Sequence, residues 1–221
     1  MDGLGRRNHD AAMTTALLST AYFGPIQWYQ KLYRYDHVLI EACESFTKQT
    51  YRNRCLIATT QGVQALTVPV KRPSLIGEVL LSDHGNWRHL HWQALQTAYG
   101  DSPFFEYYED DLRPFFNEHR WERLLDFNEA IRQKMCELLD IHPHVAYTTA
   151  FMPSKTPQRT EGGDFRREDF RYAILPKHPQ PDSEFTPRPY YQVFARKHGF
   201  LPNLSILDLL LNMGPESIFY L

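Results

Sequence analysis

The chain has 221 residues, a formal net charge of −2 and a sequence pI near 6.5. At 43% hydrophobic it has material for one substantial core, while its near-neutral balance excludes a general polyanion-binding surface, so no nucleic-acid partner is expected. Three scattered cysteines, Cys43, Cys55 and Cys136, exclude a disulfide framework, and no apolar run reaches the roughly 20 residues of a membrane span, so a cytoplasmic protein with buried thiols is expected.

In chain order, residues 1–13 are polar and read as a disordered lead to a single domain over 14–221. Thr15–Phe23 reads as a buried strand, broken by Gly24-Pro25. IQWYQKLYRY behind it reads as a helix with Pro25 near its first position. HVLIEAC, residues 37–43, is a second apolar strand, so the opening is a parallel βαβ unit. RNRCLIATT and VQALTVPVK flank Gln61-Gly62 as a β-hairpin, and Pro69 puts its second strand at an edge. IGEVLLS, residues 76–82, is a further strand candidate. From Asn86 to Asp140 the period becomes helical. Trp87, His91, Leu95 and Tyr99 lie near one helix face, a second helix begins at Pro103, and Trp121–Leu139 is the longest. HVAYTTAF, residues 144–151, returns to strand character. Pro-, Gly- and charge-rich sequence near 152–188 reads as a long surface excursion, with FRYAIL as a strand inside it. Short helices in YYQVFARKHG and LSILDLLLNMG close the chain. The predicted fold is α/β: a mixed sheet with an N-terminal βαβ unit, a β-hairpin and a helical segment packed on it.

Four patterns bear on chemistry. KQTYRNRCLI, residues 48–57, crowds Lys48, Arg52 and Arg54 around Tyr51 and Asn53. Arginine offers a planar fork and lysine a point charge. Antiparallel pairing brings Lys71 and Arg72 back beside Arg52 and Arg54, gathering five cations at one end of the hairpin. They form either a pocket for phosphate or carboxylate, or a solvated end that guards an edge. His91, on a face with Trp87 and Tyr99, is either a general base or a satisfied core histidine. His84, His89 and His91 lack the HExxH spacing, so no metal is expected. Ser205-x-x-Asp208 fits a capping box, with Gly214 as the left-handed stop. Finally, the turn in AYFGPIQWYQKL presents free amides at a helix N-terminus, and open parallel sheets bind ligands at the carboxyl ends of their strands.

The segments YFGPIQWYQKL, SFTKQTYRNRCLI, LTVPVK, NWRHLHWQALQTAYGDSPFFEYY and YYQVFARKHGFLPNLSILDLLLNMG, in this order, resemble the WbqC-like family of bacterial proteins. The resemblance runs from about Leu17 to the C-terminus. It implies a link with surface-polysaccharide genes and a glycine-transferring role on an O-antigen sugar. The family's K-x-x-[WY]-x-N-R element falls on Lys48, Tyr51, Asn53 and Arg54; its Trp, His and Tyr fall on Trp87, His91 and Tyr99; its Leu-Ser-Ile-x-Asp ending falls on Ser205 and Asp208. One departure stands out. The family's His-Gln-Pro at the end of strand one and its Pro-Trp in the turn read here Leu18-Ser19-Thr20 and Gly24-Pro25.

Two readings follow. In the first, the chain is an acyl or aminoacyl transferase acting on a nucleotide- or phosphate-linked amino sugar. Arg52, Arg54 and Lys71 bind phosphates, His91 is the catalytic base, and Lys48 or Asn53 supplies donors to the oxyanion, with Tyr51 and Tyr99 completing the substrate-binding set. In the second, it is a non-catalytic anion-binding or assembly protein that has lost the His-Gln-Pro site. A cleft lined by both His91 and the 48–54 cations favours the first; a buried, unpaired His91 with no cleft beside it favours the second. In both the partner is a small molecule, and no residue pattern calls for a particular cofactor or oligomeric state.

Overall fold

The computed structural model describes residues 13–71, 75–154 and 165–221. Its centre is a four-stranded, wholly parallel sheet in the order β7-β2-β1-β8. β1 (Met13–Ser19) and β2 (His37–Glu41) are joined by α1 (Ile26–Arg34), the βαβ unit expected from the apolar runs. β7 (Val145–Tyr147) pairs with β2, and β8 (Phe165–Asp169) pairs with β1 on the other side. Opposed pairs Ala16–Val38 and Leu18–Ile40 share one face by the period of two. All four are buried, as are Tyr29 and Leu32 of the packed helix. Burial on α1 extends even to Lys31, whose ammonium lies 2.8 Å from Asp182 and 4.2 Å from the Phe170 ring centroid.

The hairpin is β3 (Arg54–Thr59) with β4 (Gly62–Thr67), and a second short ladder pairs β5 (Val70–Lys71) with β6 (Leu80–Leu81). Helices α2 (Trp87–Tyr99), α3 (Phe105–Leu112), α4 (Pro114–Asn117) and α5 (Leu124–Leu138) form the helical segment, and α6 (Ala195–His198) and α7 (Ile206–Met213) come last. The mixed α/β class therefore holds.

Several boundaries differ from the sequence reading, each for a local reason. Met13 already belongs to β1, because β8 runs alongside it; the rest of the polar lead lies outside the described residues. Thr59 pairs with Gly62, so the hairpin turn is Thr60-Gln61, and Gly62 takes the positive φ of 101° just after it. IGEVLLS is a 3₁₀ turn plus the two residues of β6. FRYAIL is not a strand; β8 is FRRED, the charged stretch just before it, which extended pairing with β1 holds in place of apolar pattern. YYQVFARKHG contributes a single helical turn.

α7 locks the chain's two ends together. Leu204 O accepts from Ile26 N at 3.0 Å, Gly24 O accepts from Ile206 N at 2.9 Å, and the Ser205 hydroxyl donates to Phe23 O at 2.7 Å. Gly214 ends the helix with φ 55°, and a Cβ built there would lie 2.5 Å from the Phe104 ring. Gly214→Ala combines a left-handed backbone with overpacking and is expected to cost about 2–3 kcal/mol. A urea titration checks this; an unchanged midpoint would contradict it.

Candidate functional site at the carboxyl edge of the sheet

The strands of a parallel sheet all end on the same side. Here those ends carry Ser19, Glu41, Thr148 and Asp169, with Glu44, Arg52 and Arg171 in the loops beyond. β1 continues to β2 on one side, whereas β8 lies on its other side. Such a break in strand order is where open parallel sheets bind ligands. A nook lies there, lined by Ser19, Thr20, Tyr51, Arg52, Phe170 and Arg171 among others, with a volume of about 10 Å³, the size of one water.

Two buried ion-pair systems flank it. Glu41, fully buried, accepts from Cys43 N (2.9 Å), the Thr148 hydroxyl (2.6 Å), Met152 N (2.9 Å) and Arg171 Nη1 (3.2 Å). Arg171 also holds Asp169 through Nε (2.9 Å) and Nη2 (2.7 Å). Burial pushes the Asp169 carboxyl up, but the Arg171 bonds outweigh it and hold the group below the usual range. In the second system Arg52 grips Glu44 with Nε (2.8 Å) and Nη2 (2.6 Å), and Nη2 also donates to Ser19 Oγ at 2.8 Å. Arg52 Nη1 bonds none of the described residues and is not among the buried atoms left without a partner. Asn128 of α5 braces the nook from behind, donating to Thr20 Oγ1 at 3.1 Å and to Arg52 O at 2.8 Å.

The residues singled out from sequence are distributed differently from the expected cluster. Arg52 is in the nook and Tyr51 lines it, its hydroxyl pushed up to about 12 by burial. Asn53 is a hairpin brace, donating from Nδ2 to Val68 O at 2.8 Å. Arg54 reaches across the ladder to the Thr67 hydroxyl at 3.0 Å, and Lys48 is exposed. Lys71 is exposed in the separate β5–β6 ladder, near Asp83, whose carboxyl is held below the usual range chiefly by its bond from Arg88 and only slightly by Lys71. The chain breaks ladder at Val68-Pro69, so Lys71 does not return beside Arg52. Arg72 lies outside the described residues.

His91 and Tyr99 are elsewhere. His91 is 6% exposed and its Nδ1 is hydrogen-bonded to the Tyr22 hydroxyl at 2.9 Å. Burial lowers its pKa to about 4. The structure does not bring His91 into the nook with Arg52. Tyr99 is fully buried: its hydroxyl accepts from Ala58 N at 3.2 Å and donates to Asp208 at 2.8 Å. The capping-box expectation for Asp208 is corrected. Ser205 caps α7, accepting from Leu207 N at 3.3 Å, but the Asp208 carboxylate points inward to Tyr99, Tyr190 (2.5 Å) and Gln192 (2.8 Å). Burial raises its pKa against all three of those bonds.

Sequence reasoning missed Glu41, Glu44, Asp169 and Arg171. The available signal was position: Glu41 closes an apolar strand at its carboxyl end. The departing triplet also lands here, with Ser19 on Arg52 and Thr20 on Asn128. Among the described residues no group of three or more His, Cys, Asp or Glu stands together as a metal cage, and no helix is long and apolar enough to cross a membrane.

Fold and edge together define an open parallel α/β protein with a polar, ion-paired carboxyl edge. Residues 20–162 match the model of the WbqC-like protein family, and the chain belongs to that family. It is also similar to an uncharacterised protein of Mycobacterium tuberculosis, 28% identical over 216 residues, spanning 90% of this chain and 91% of the relative. No solved structure matches the chain.

Arg52→Ala leaves Glu44 buried without its partner and is expected to lose about 3–5 kcal/mol, whereas Arg52→Met with Glu44→Leu should recover most of it. Chemical denaturation of the single and double variants measures both. His91 sets a pH limb. Its folded pKa of about 4 lies below the ordinary 6.5, so its contribution is full above pH 6.5 and is lost as pH falls toward 4, about 3 kcal/mol in total. Asp208, with a raised pKa, acts with the opposite sign. Subtracting the His91→Gln profile from wild type cancels that contribution, and a flat difference between pH 6.5 and 4.5 would refute the assignment.

Proposed function

We propose that the chain acts in surface-polysaccharide assembly as an acyl or aminoacyl transferase, with the carboxyl edge of its parallel sheet as the reacting site. Membership of the WbqC-like family supports the setting. The observation that carries the reading is Arg52. Its Nε and Nη2 are taken by Glu44 and Ser19, Nη1 bonds none of the described residues, and Arg52 lines the nook at the end of β1. A single charged donor beside a hydroxyl suits one oxygen that gains negative charge, such as an acyl carbonyl, better than a phosphate needing several donors. The phosphate- or nucleotide-linked part of the substrate would then lie outside the nook, toward the exposed Lys48 of the adjoining loop. This reading gives His91 no part, since it is buried and its Nδ1 is held by the Tyr22 hydroxyl.

A second reading, binding without chemistry, is favoured by one specific fact: Leu18 and Ser19 stand where the family carries His-Gln.

The test is thermal unfolding against nucleotide sugars, acyl-CoAs and ATP, followed by turnover of whichever pair binds. A ligand at about 100 times its Kd stabilises by about 2.7 kcal/mol, on the order of 5 °C for this size. Arg52→Lys keeps a charge for Glu44 but removes the spare fork. Transfer is expected to fall at least about tenfold in this variant, with binding retained. Binding with no turnover in wild type would select the second reading. No shift with any ligand would overturn both.

A further inference from the structure

We propose that the rim of the carboxyl edge is a nucleotide subsite, in which Phe151 and Tyr172 stack on the base and Lys48 and Lys177 hold the phosphates. The inference rests on the transferase reading above and narrows its phosphate-linked substrate to one that carries a base.

Arg171 positions both rings. It lines the nook, is 3% exposed, and commits each of its nitrogens inside the protein. Nε donates to Asp169 at 2.9 Å, Nη1 to Glu41 at 3.2 Å, and Nη2 to Asp169 and to Met152 O, both at 2.7 Å. Its charge is thus spent on the edge, and what it presents outward is the pair of rings packed on it. Arg171 Cζ lies 5.5 Å from the Phe151 ring centroid and 5.8 Å from that of Tyr172, both within cation–π reach. The backbones beside the rings are anchored as well: Met152 N donates to Glu41 at 2.9 Å, and Tyr172 O accepts from Gln180 N at 2.9 Å. Phe151 follows β7 and Tyr172 follows β8, so both leave carboxyl ends of strands. Even so, the rings are 53% and 44% exposed. Two large rings fixed on one buried guanidinium and left half in solvent form a preorganised stacking surface, and every base has a π-face to meet it.

The charge for the phosphates comes from the same two loops. Lys177 Nζ donates to Gln49 Oε1 at 3.5 Å, joining the loop that carries Tyr172 to the loop that carries Lys48 and Arg52. Gln49 is next to Lys48, so both exposed lysines stand where the loops meet. The carboxylates of this edge are already taken, Glu41 and Asp169 by Arg171 and Glu44 by Arg52. Ammonium groups suit phosphate as point charges. A sugar phosphate without a base would use the lysines and leave the rings idle. A nucleoside diphosphate sugar and an adenine-bearing acyl donor share the chemistry that uses both.

Isothermal titration of the full chain with UDP, ADP, coenzyme A and inorganic pyrophosphate tests this. Pyrophosphate keeps the phosphates and lacks the base. At least one nucleotide should bind about tenfold or more tighter than pyrophosphate. Preference for UDP assigns the subsite to the sugar-linked substrate, and preference for ADP and coenzyme A assigns it to the acyl donor. Phe151→Ala and Tyr172→Ala should bring the nucleotide down toward pyrophosphate while leaving pyrophosphate affinity unchanged, which also reports an intact fold. Tyr172→Phe should keep the preference. Lys177→Ala should weaken both ligands and preserve their ratio. Equal affinity for nucleotides and pyrophosphate in wild type would overturn the subsite, as would no binding of any of the four, or a ratio unmoved in both alanine variants. Arg52-dependent transfer to a base-free sugar phosphate would then leave the transferase reading standing. Nucleotide preference with no transfer would do the reverse.

Discussion

The Glu41 carboxylate is wholly buried at the end of β2, and the carboxyl edge of the sheet is arranged around satisfying it. An ion moved from water to a protein interior loses several kcal/mol of solvation, which only well-placed partners offset. Four donors meet it, and they come from different parts of the edge: its own loop at Cys43, the end of β7 at Thr148, the crossover at Met152, and Arg171 just beyond β8. β8 is not adjacent to β2; β1 lies between them. Arg171 thus bridges over the central strand, and its other nitrogens return to Asp169 and Met152. One carboxylate thereby fixes where the strands stop and how the crossover leaves the sheet.

The Arg52–Glu44 pair sits beside this system and depends on it for shape. Both pairs are shielded from solvent, so neither can be adjusted without disturbing the loops that carry it. Asn128 adds the third support by donating to the Arg52 carbonyl and to Thr20. The result is a small cavity in which Ser19, Thr20 and Arg52 stand among the apolar Leu18, Trp28, Phe170 and Ile174, and preorganised donors of this kind act without reorganising as charge develops.

The parts of this arrangement visible in the sequence are those set by local period. The βαβ opening was legible because its strands are unbroken apolar runs and its helix is bounded by Pro25. Helices α2 and α5 were legible from their spacing, though α5 begins at Leu124 rather than Trp121. β8 was not legible, since FRRED has no strand pattern and is extended because β1 pairs with it. Arg52 was visible as a cation but not as a buried one, because its partner Glu44 lies in the loop that follows β2. Asp208 misled for a similar reason: the local spacing fits a cap, yet its donor Tyr99 is 109 residues away. Local pattern names a residue's chemistry, while the long-range partner decides its use.

His91 is a further case of that decision. Its ring is hydrogen-bonded at 2.9 Å to the hydroxyl of Tyr22, on the chain just leaving β1. The neutral ring suits this contact, since it keeps one nitrogen able to accept from the tyrosine hydroxyl and the charged ring does not. Burial against Trp87 and Tyr22 enforces that state, with ring centroids 5.1 and 5.8 Å away. A histidine so placed joins α2 to the residues that follow β1, and its long-range partner rather than its local spacing sets its surroundings.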